Sequence, residues 1–102
     1  MRNISVEELK IKMKADNNFH LLDVREPEEK VQFDIGGKLI PLPQILAFQT
    51  DEIDDLKNEE VICYCRSGKR SLQACLMLET MGFTNVSNLT GGIIAWQEST
   101  TS

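Results

Sequence analysis

No stretch of about eighteen apolar residues occurs in this chain of 102, so no helix able to cross a bilayer is expected. A basic surplus is also missing. Sixteen acids against eleven Lys and Arg give a formal net charge of −5, which argues against a nucleic-acid partner. Met1-Arg2-Asn3 leads straight into patterned sequence without an apolar leader, so no signal peptide is expected and the cytoplasm is the expected compartment. Cysteine is scarce and odd in number: Cys63, Cys65 and Cys75 form no disulfide framework. Cys63 and Cys65 are too close in an extended segment to bridge, and free thiols in a reducing compartment fit best. The single histidine, His20, stands at the head of an apolar run and reads as structural.

What is present suits one folded domain. Hydrophobic residues make up 41% of the chain and charged residues 26%, ordinary proportions for a globular protein of a size that can bury one core unaided. The domain is expected over residues 1–98, with a disordered polar tail over 99–102. Ser5 and Glu8 are spaced as a capping box, with Ile4 and Leu9 as its hydrophobic staple, and the apolar spacing predicts a helix to about Lys14. Asp16-Asn17-Asn18 reads as its exit loop. His20 to Val24 predicts a buried strand, and Pro27 starts a short helix whose first turn is rich in acids. A short strand is expected at Lys38-Leu39-Ile40, ended by Pro41-Leu42-Pro43.

Residues 44–58 read as one broken helix or two short ones. Their acids, Asp51, Glu52, Asp54 and Asp55, suit a solvated face better than a metal site, since no histidine or cysteine lies near them in the sequence. Val61 to Cys65 is apolar or weakly polar throughout, as expected of a strand covered on both faces. From Arg70, helical periodicity runs through Ala74, Met77, Leu78 and Met81 to a cap at Gly82. A last strand is expected at 85–89, then a short helix through Trp96. Alternating helices and strands predict an α/β fold with a mainly parallel central sheet of four to five strands flanked by helices.

The chemistry concentrates after the strand at 61–65. Three of the eleven basic residues, Arg66, Lys69 and Arg70, fall within five positions of a loop that also holds Ser67 and Gly68. A cysteine at the carboxyl end of a buried strand and next to a helix amino terminus lies where amide donors and the helix dipole favour negative charge. The five following residues are polar or glycine, so Cys65 is expected at an exposed strand end, with the three basic side chains lowering its pKa and attracting anions. Glycine lets the backbone approach a ligand, and successive N–H groups can form an anion nest. Such a thiolate suits attack on electrophilic sulfur or phosphorus. Cys63, inside the strand, and Cys75, on the following helix, read as core.

Cys65-Arg66-Ser67-Gly68-Lys69-Arg70-Ser71 resembles the active-site loop of the rhodanese-like sulfurtransferases. Leu22-Asp23-Val24-Arg25-Glu26-Pro27-Glu28-Glu29 resembles that family's other typical stretch, and Ile35-Gly36-Gly37, Ile40-Pro41-Leu42 and Gly91-Gly92 to Trp96 fall in matching order. The resemblance spans residues 4 to 97. It implies the rhodanese-like fold and a Cys65 nucleophile that takes a sulfane sulfur from a donor such as thiosulfate, carries it as a persulfide and yields it to a thiol or cyanide. It implies further that the backbone of 66–70 cradles the sulfur, that Arg66 and Lys69 bind the anionic donor, and that Arg70 orients the loop. Asp23 and Arg25 would border and brace the site, either as ligands or as a structural ion pair.

No metal or other cofactor is implied. The expected partners are a small anionic sulfur donor and a thiol acceptor, with a sulfur-relay protein as a further candidate, and without nucleic acid or membrane. Asp34 stands where the family often has histidine, so this chain would work without an imidazole base, as a low-pKa thiolate can. Two other readings compete. One is a sulfur-relay or protein-binding module with little small-molecule turnover. The other is a cysteine phosphatase or arsenate reductase, disfavoured because only four residues separate Cys65 from Arg70 where those loops place the arginine one position further on.

Overall fold

The computed structural model describes residues 1–15 and 18–101; Asp16 and Asn17 of the expected exit loop, and Ser102, lie outside the described residues. Five parallel strands form one sheet: β1 (Arg2–Ile4), β2 (His20–Asp23), β3 (Lys38–Leu39), β4 (Val61–Tyr64) and β5 (Val86–Leu89), in the order β1-β5-β4-β2-β3. The α/β expectation therefore holds at its upper strand count. The strand not foreseen is β1. Only Ile4 of its three residues is buried, so it carries no alternation of its own and takes its pairing from β5, with Ile4 opposite Leu89.

The central strand shows why the sheet is covered on both faces. Val61, Cys63 and Cys65 enter one apolar cluster with Ala74, Cys75 and Leu78. The alternate residues Ile62 and Tyr64 enter a second cluster with Ile4, Leu9, Leu89 and Ile93. This is the period-two alternation of a pleated strand, with both sides buried. The first cluster lies under α3 (Leu42–Leu46) and α4 (Lys69–Thr80), the second under α1 (Val6–Lys14) and α5 (Gly92–Thr101).

Local signals set most helix ends. Ser5 caps α1 through the Glu8 amide at 3.1 Å, and Glu8 returns a carboxylate to the Ser5 amide at 3.2 Å. Pro27 occupies the first turn of α2 (Pro27–Gln32). The stretch at 44–58 resolves into two short pieces, α3 and a 3-10 helix at Asp51–Leu56, with Ile53 buried and its four acids exposed. Glu52 pairs with Lys38 and Asp54 with Lys57, and no cluster able to hold a metal ion is found among the described residues. Nor is any helix long and apolar enough to cross a membrane among them.

α5 runs on past Trp96, where the last helix was expected to end, through Thr101. The reason is tertiary. Lys10 of α1 sits 4.9 Å over the Trp96 ring and donates to the Ser99 hydroxyl, which in turn donates to Trp96 O at 2.8 Å. His20 pairs with Glu59 at 2.9 Å, a half-buried contact at the edge of the fold.

The topology singles out one crevice. After β2 the chain departs through α2 toward β3, while after β4 it departs through α4 toward β5 on the opposite side. The carboxyl ends of the adjacent strands β2 and β4 thus face a topological switch point, the general ligand position of open α/β sheets.

Candidate active site

Cys65 follows β4 directly, and the loop 66–68 turns the chain into α4. The turn depends on Gly68, whose φ of +96° is in the left-handed region where a side chain is strained. Gly68 is also the N-cap of α4, and no side chain caps that helix. The sulfur of Cys65 takes the role. Gly68 N–H donates to Sγ at 3.1 Å and Ser71 N–H, in the first turn of the helix, donates at 3.4 Å. Orphan amides at a helix start need an acceptor, and here the acceptor is the thiol.

The strand end expected to be exposed is covered at the sulfur: Cys65 has 0% of its surface accessible. The polar run after it does reach solvent, as Arg66, Ser67 and Lys69 are exposed, but the loop folds its backbone over the sulfur. Polarity of neighbours reports where side chains go, not where the amides go. Burial opposes ionisation of Cys65. Donors from the Ser71 hydroxyl and from the amides of Ser71, Gly68 and Ser67 outweigh it and hold the pKa below that of an ordinary thiol. The hydrogen bonds come from neutral dipoles. Of the three basic side chains credited from the sequence, Arg70, whose pKa is raised most by its hydrogen bond with Glu29, also interacts with the charge on Cys65, which raises it further. Cys63 behaves oppositely. Its hydrogen bond with Cys75 and its burial push its pKa well up, which fits an inert core thiol.

A second layer fixes the loop. The Ser71 hydroxyl donates to Asn88 Oδ1 at 2.5 Å and lies 3.4 Å from Sγ, so its single proton serves either the amide oxygen or, by rotation, a thiolate. Asn88 Nδ2 donates to Gly68 O at 3.2 Å, tying β5 to the loop. From the other side, the amides of Ile93 and Ile94 at the start of α5 donate to Cys65 O and Arg66 O, each at 3.0 Å. The approach is so close that a Cβ on Gly92 would collide with both carbonyl oxygens. None of these partners has a sequence signal of its own, except that Gly91-Gly92 marks a close backbone approach.

Of the basic residues, Arg70 interacts with Cys65 through charge rather than through a hydrogen bond to the sulfur. Its guanidinium makes a two-pronged pair with Glu29 of α2, at 2.6 and 2.8 Å. The side chains of Arg66 and Lys69 have no hydrogen-bond or ion-pair partner among the described residues. Asp23 and Arg25 form a buried pair, with Nε–Oδ1 at 2.9 Å and Nη2–Oδ2 at 2.8 Å. Arg25 also donates to Glu29 O and Phe33 O, so it ties α2 and the segment after it to the end of β2. Of the two roles open to this pair, the hydrogen bonds favour bracing. Asp34 accepts from Gly36 N–H at 2.7 Å and pairs with Lys30 at 2.9 Å, the contacts of a turn-forming residue.

Glu29 is the site-forming residue that sequence reading missed, since it resembles any first-turn acid. The Arg70 hydrogen bonds, the Glu26 amide and nearby charge pull its pKa from 4.5 down to about 2 against a smaller burial effect. The folded value is depressed, so the contribution to stability is complete above the unfolded value and is lost as pH falls from 4.5 toward 2. At a pair about one-third exposed, screening keeps that contribution near ~1 kcal/mol. Glu29→Gln is therefore expected to unfold slightly earlier than wild type at neutral pH, with the gap closing in acid. Thermal unfolding of both proteins across that range checks this, and a gap independent of pH would refute it.

A nest of donors around a strand-end cysteine at a switch point defines a thiolate-handling α/β site. The model of the rhodanese-like domain matches residues 5–99, and the chain belongs to that family. A sulfurtransferase of Allochromatium vinosum is 38% identical over 96 residues, covering 94% of this chain and 88% of its own length. The human thiosulfate:glutathione sulfurtransferase is 32% identical over 107 residues, covering 93% and 92%. The crystal structure of a rhodanese-like domain protein from Staphylococcus aureus matches with a TM-score of 0.82 at 31% identity, over 94% of this chain and 91% of that one. These likenesses support sulfur transfer as the general activity.

Proposed function

We propose that Cys65 is the nucleophile of a sulfurtransferase that takes the outer sulfur of an anionic donor such as thiosulfate and passes it to a thiol or cyanide. A lone pair of the Cys65 thiolate attacks the outer sulfur, the donor's S–S bond breaks, and its electron pair leaves on sulfite. The product is a Cys65 persulfide. The observation carrying this reading is the set of amide and hydroxyl donors converging on Sγ, which favours a thiolate before reaction and a persulfide anion after it. Arg66 and Lys69, exposed and unpaired, supply the charge to draw in an anionic donor. The name of the human relative, thiosulfate:glutathione sulfurtransferase, agrees in donor and acceptor class.

The phosphatase reading is weaker for a second reason besides loop length. Arg70 makes a two-pronged pair with Glu29, so its donors are already engaged and would have to leave that carboxylate to serve an oxyanion above the thiol.

Intact-protein mass spectrometry after thiosulfate treatment should show the mass of one sulfur atom added, mapped to Cys65 and removed by a reducing thiol. An unmodified, alkylatable Cys65 after exposure to a panel of sulfane-sulfur donors would count against the proposal.

A further inference from the structure

An amide side chain in the middle of a buried parallel sheet needs a reason. Asn88 stands in β5 opposite Cys63 of β4, is 6% exposed, and is of a type that strands ordinarily avoid. Both ends of its amide are engaged by the sulfur loop. Nδ2 donates to Gly68 O at 3.2 Å, and Oδ1 accepts from the Ser71 hydroxyl at 2.5 Å. A backbone carbonyl only accepts, so the Gly68 contact fixes which end is the NH2 and leaves the oxygen facing Ser71. That oxygen also only accepts, and the proton between the two residues is therefore the serine's.

Ser71 thus has one proton and two acceptors for it. With Cys65 neutral, the S–H can donate to Ser71 Oγ at 3.4 Å while Ser71 donates to Asn88, and every group in the chain is satisfied. With Cys65 ionised, the chain is in conflict. Either Ser71 keeps its proton on Asn88 and turns a lone pair on the thiolate, or it rotates to the sulfur and leaves a buried amide oxygen without a donor. The amides of Gly68 and Ser71 that reach the sulfur face no such choice.

Resting on the nucleophile reading above, we propose that Asn88 is a positioning residue that competes with the Cys65 sulfur for the Ser71 proton and so restrains the thiolate. A thiolate served by every donor at once is abundant but less nucleophilic, and restraint keeps its pKa nearer the working pH. Once Cys65 carries a persulfide, the charge sits on the outer sulfur, about 2.0 Å beyond Sγ, and Ser71 returns its proton to Asn88. On discharge Sγ leaves as thiolate and Ser71 rotates back to it. The charged and titratable groups around the thiol stay the same throughout. They are Arg70 of α4 with its partner Glu29, the Cys63 thiol of β4, and exposed Arg66 and Lys69. The Asp23–Arg25 pair ends the neighbouring β2, while β5 and the first turn of α5 bring no charged side chain.

The test is an ultraviolet titration of the Cys65 thiolate without donor, taken as the difference from Cys65→Ser. Asn88→Leu should move the midpoint to lower pH by about half to one pH unit, the worth of one hydrogen bond, because Ser71 is then free to serve the sulfur. A purely structural Asn88 predicts the opposite sign, since an untethered loop disperses the amides and pushes the midpoint up. In the Ser71→Ala background the same substitution should not lower the midpoint. A midpoint that rises or stays in Asn88→Leu, or falls equally without the Ser71 hydroxyl, overturns the proposal. Asn88→Ala, with the same sign expected, takes its place if Asn88→Leu does not fold. If neither folds, Ser71→Ala decides: a rise under about half a pH unit fits a proton already held by Asn88, and a larger one overturns it. Persulfide formation is scored separately by mass spectrometry, so its failure counts against the nucleophile reading and leaves the titration standing.

Discussion

Cys65→Ser is expected to fold and to lose sulfur transfer by about a thousandfold or more. The loss follows from the atom replaced. A serine hydroxyl stays protonated at neutral pH even among four donors, and its oxygen forms no counterpart of the stable S–S bond of a persulfide. The fold should survive because the loop needs an acceptor at this position rather than a thiolate. Serine Oγ can still accept the Gly68 and Ser71 amides that now reach Sγ at 3.1 and 3.4 Å. A net hydrogen bond is worth about 1 kcal/mol, so slightly longer bonds and a smaller atom should cost no more than about 2 kcal/mol. Steady-state turnover with thiosulfate and cyanide, alongside thermal unfolding, checks both halves. Cys63→Ala and Cys75→Ala are the comparators, since both thiols are buried in the core. Retained turnover in Cys65→Ser, with turnover lost in either comparator, would move the nucleophile to another cysteine.

The loop was legible because its signals are local. An apolar strand ends at a cysteine, a glycine follows, and helical periodicity begins, so the sequence places sulfur and amides together without any tertiary knowledge. The same locality explains what stayed hidden. The loop is held from behind by α5, whose Ile93 and Ile94 amides donate to Cys65 O and Arg66 O and lie far along the chain. Asn88 looks like one polar residue in a short strand, yet it is 6% exposed and grips the loop at Gly68. Glu29 was visible as a helix-start acid, but nothing in its neighbourhood says that Arg70 will reach across to it. Even the continuation of α5 hangs on Lys10, a residue of the first helix. Elements encoded within a few residues were found, and contacts that the fold assembles from distant segments were not.

Arg25→Ala is expected to be the most destabilising single change near the site. The Asp23 and Arg25 side chains are only 0% and 3% exposed, so removing one leaves the other's charge buried without its partner. Breaking a buried pair this way costs about 3–5 kcal/mol, a large share of the roughly 5–15 kcal/mol that holds a domain folded. Two carbonyls, Glu29 O and Phe33 O, lose a donor in the same step. Those carbonyls belong to the segment carrying Glu29, which holds Arg70 and through it the start of α4. The expected result is a fall in the unfolding midpoint of roughly 15–30 °C, at the usual few degrees per kcal/mol for a domain of this size. Arg25→Lys separates charge from geometry. It keeps the positive charge but cannot span both carboxylate oxygens and both carbonyls, so it should fall between Ala and wild type. If Arg25→Ala unfolds within a few degrees of wild type, the pair does not brace the fold. Arg25 would then be free for the other role open to it, direct contact with a ligand in the cleft it lines.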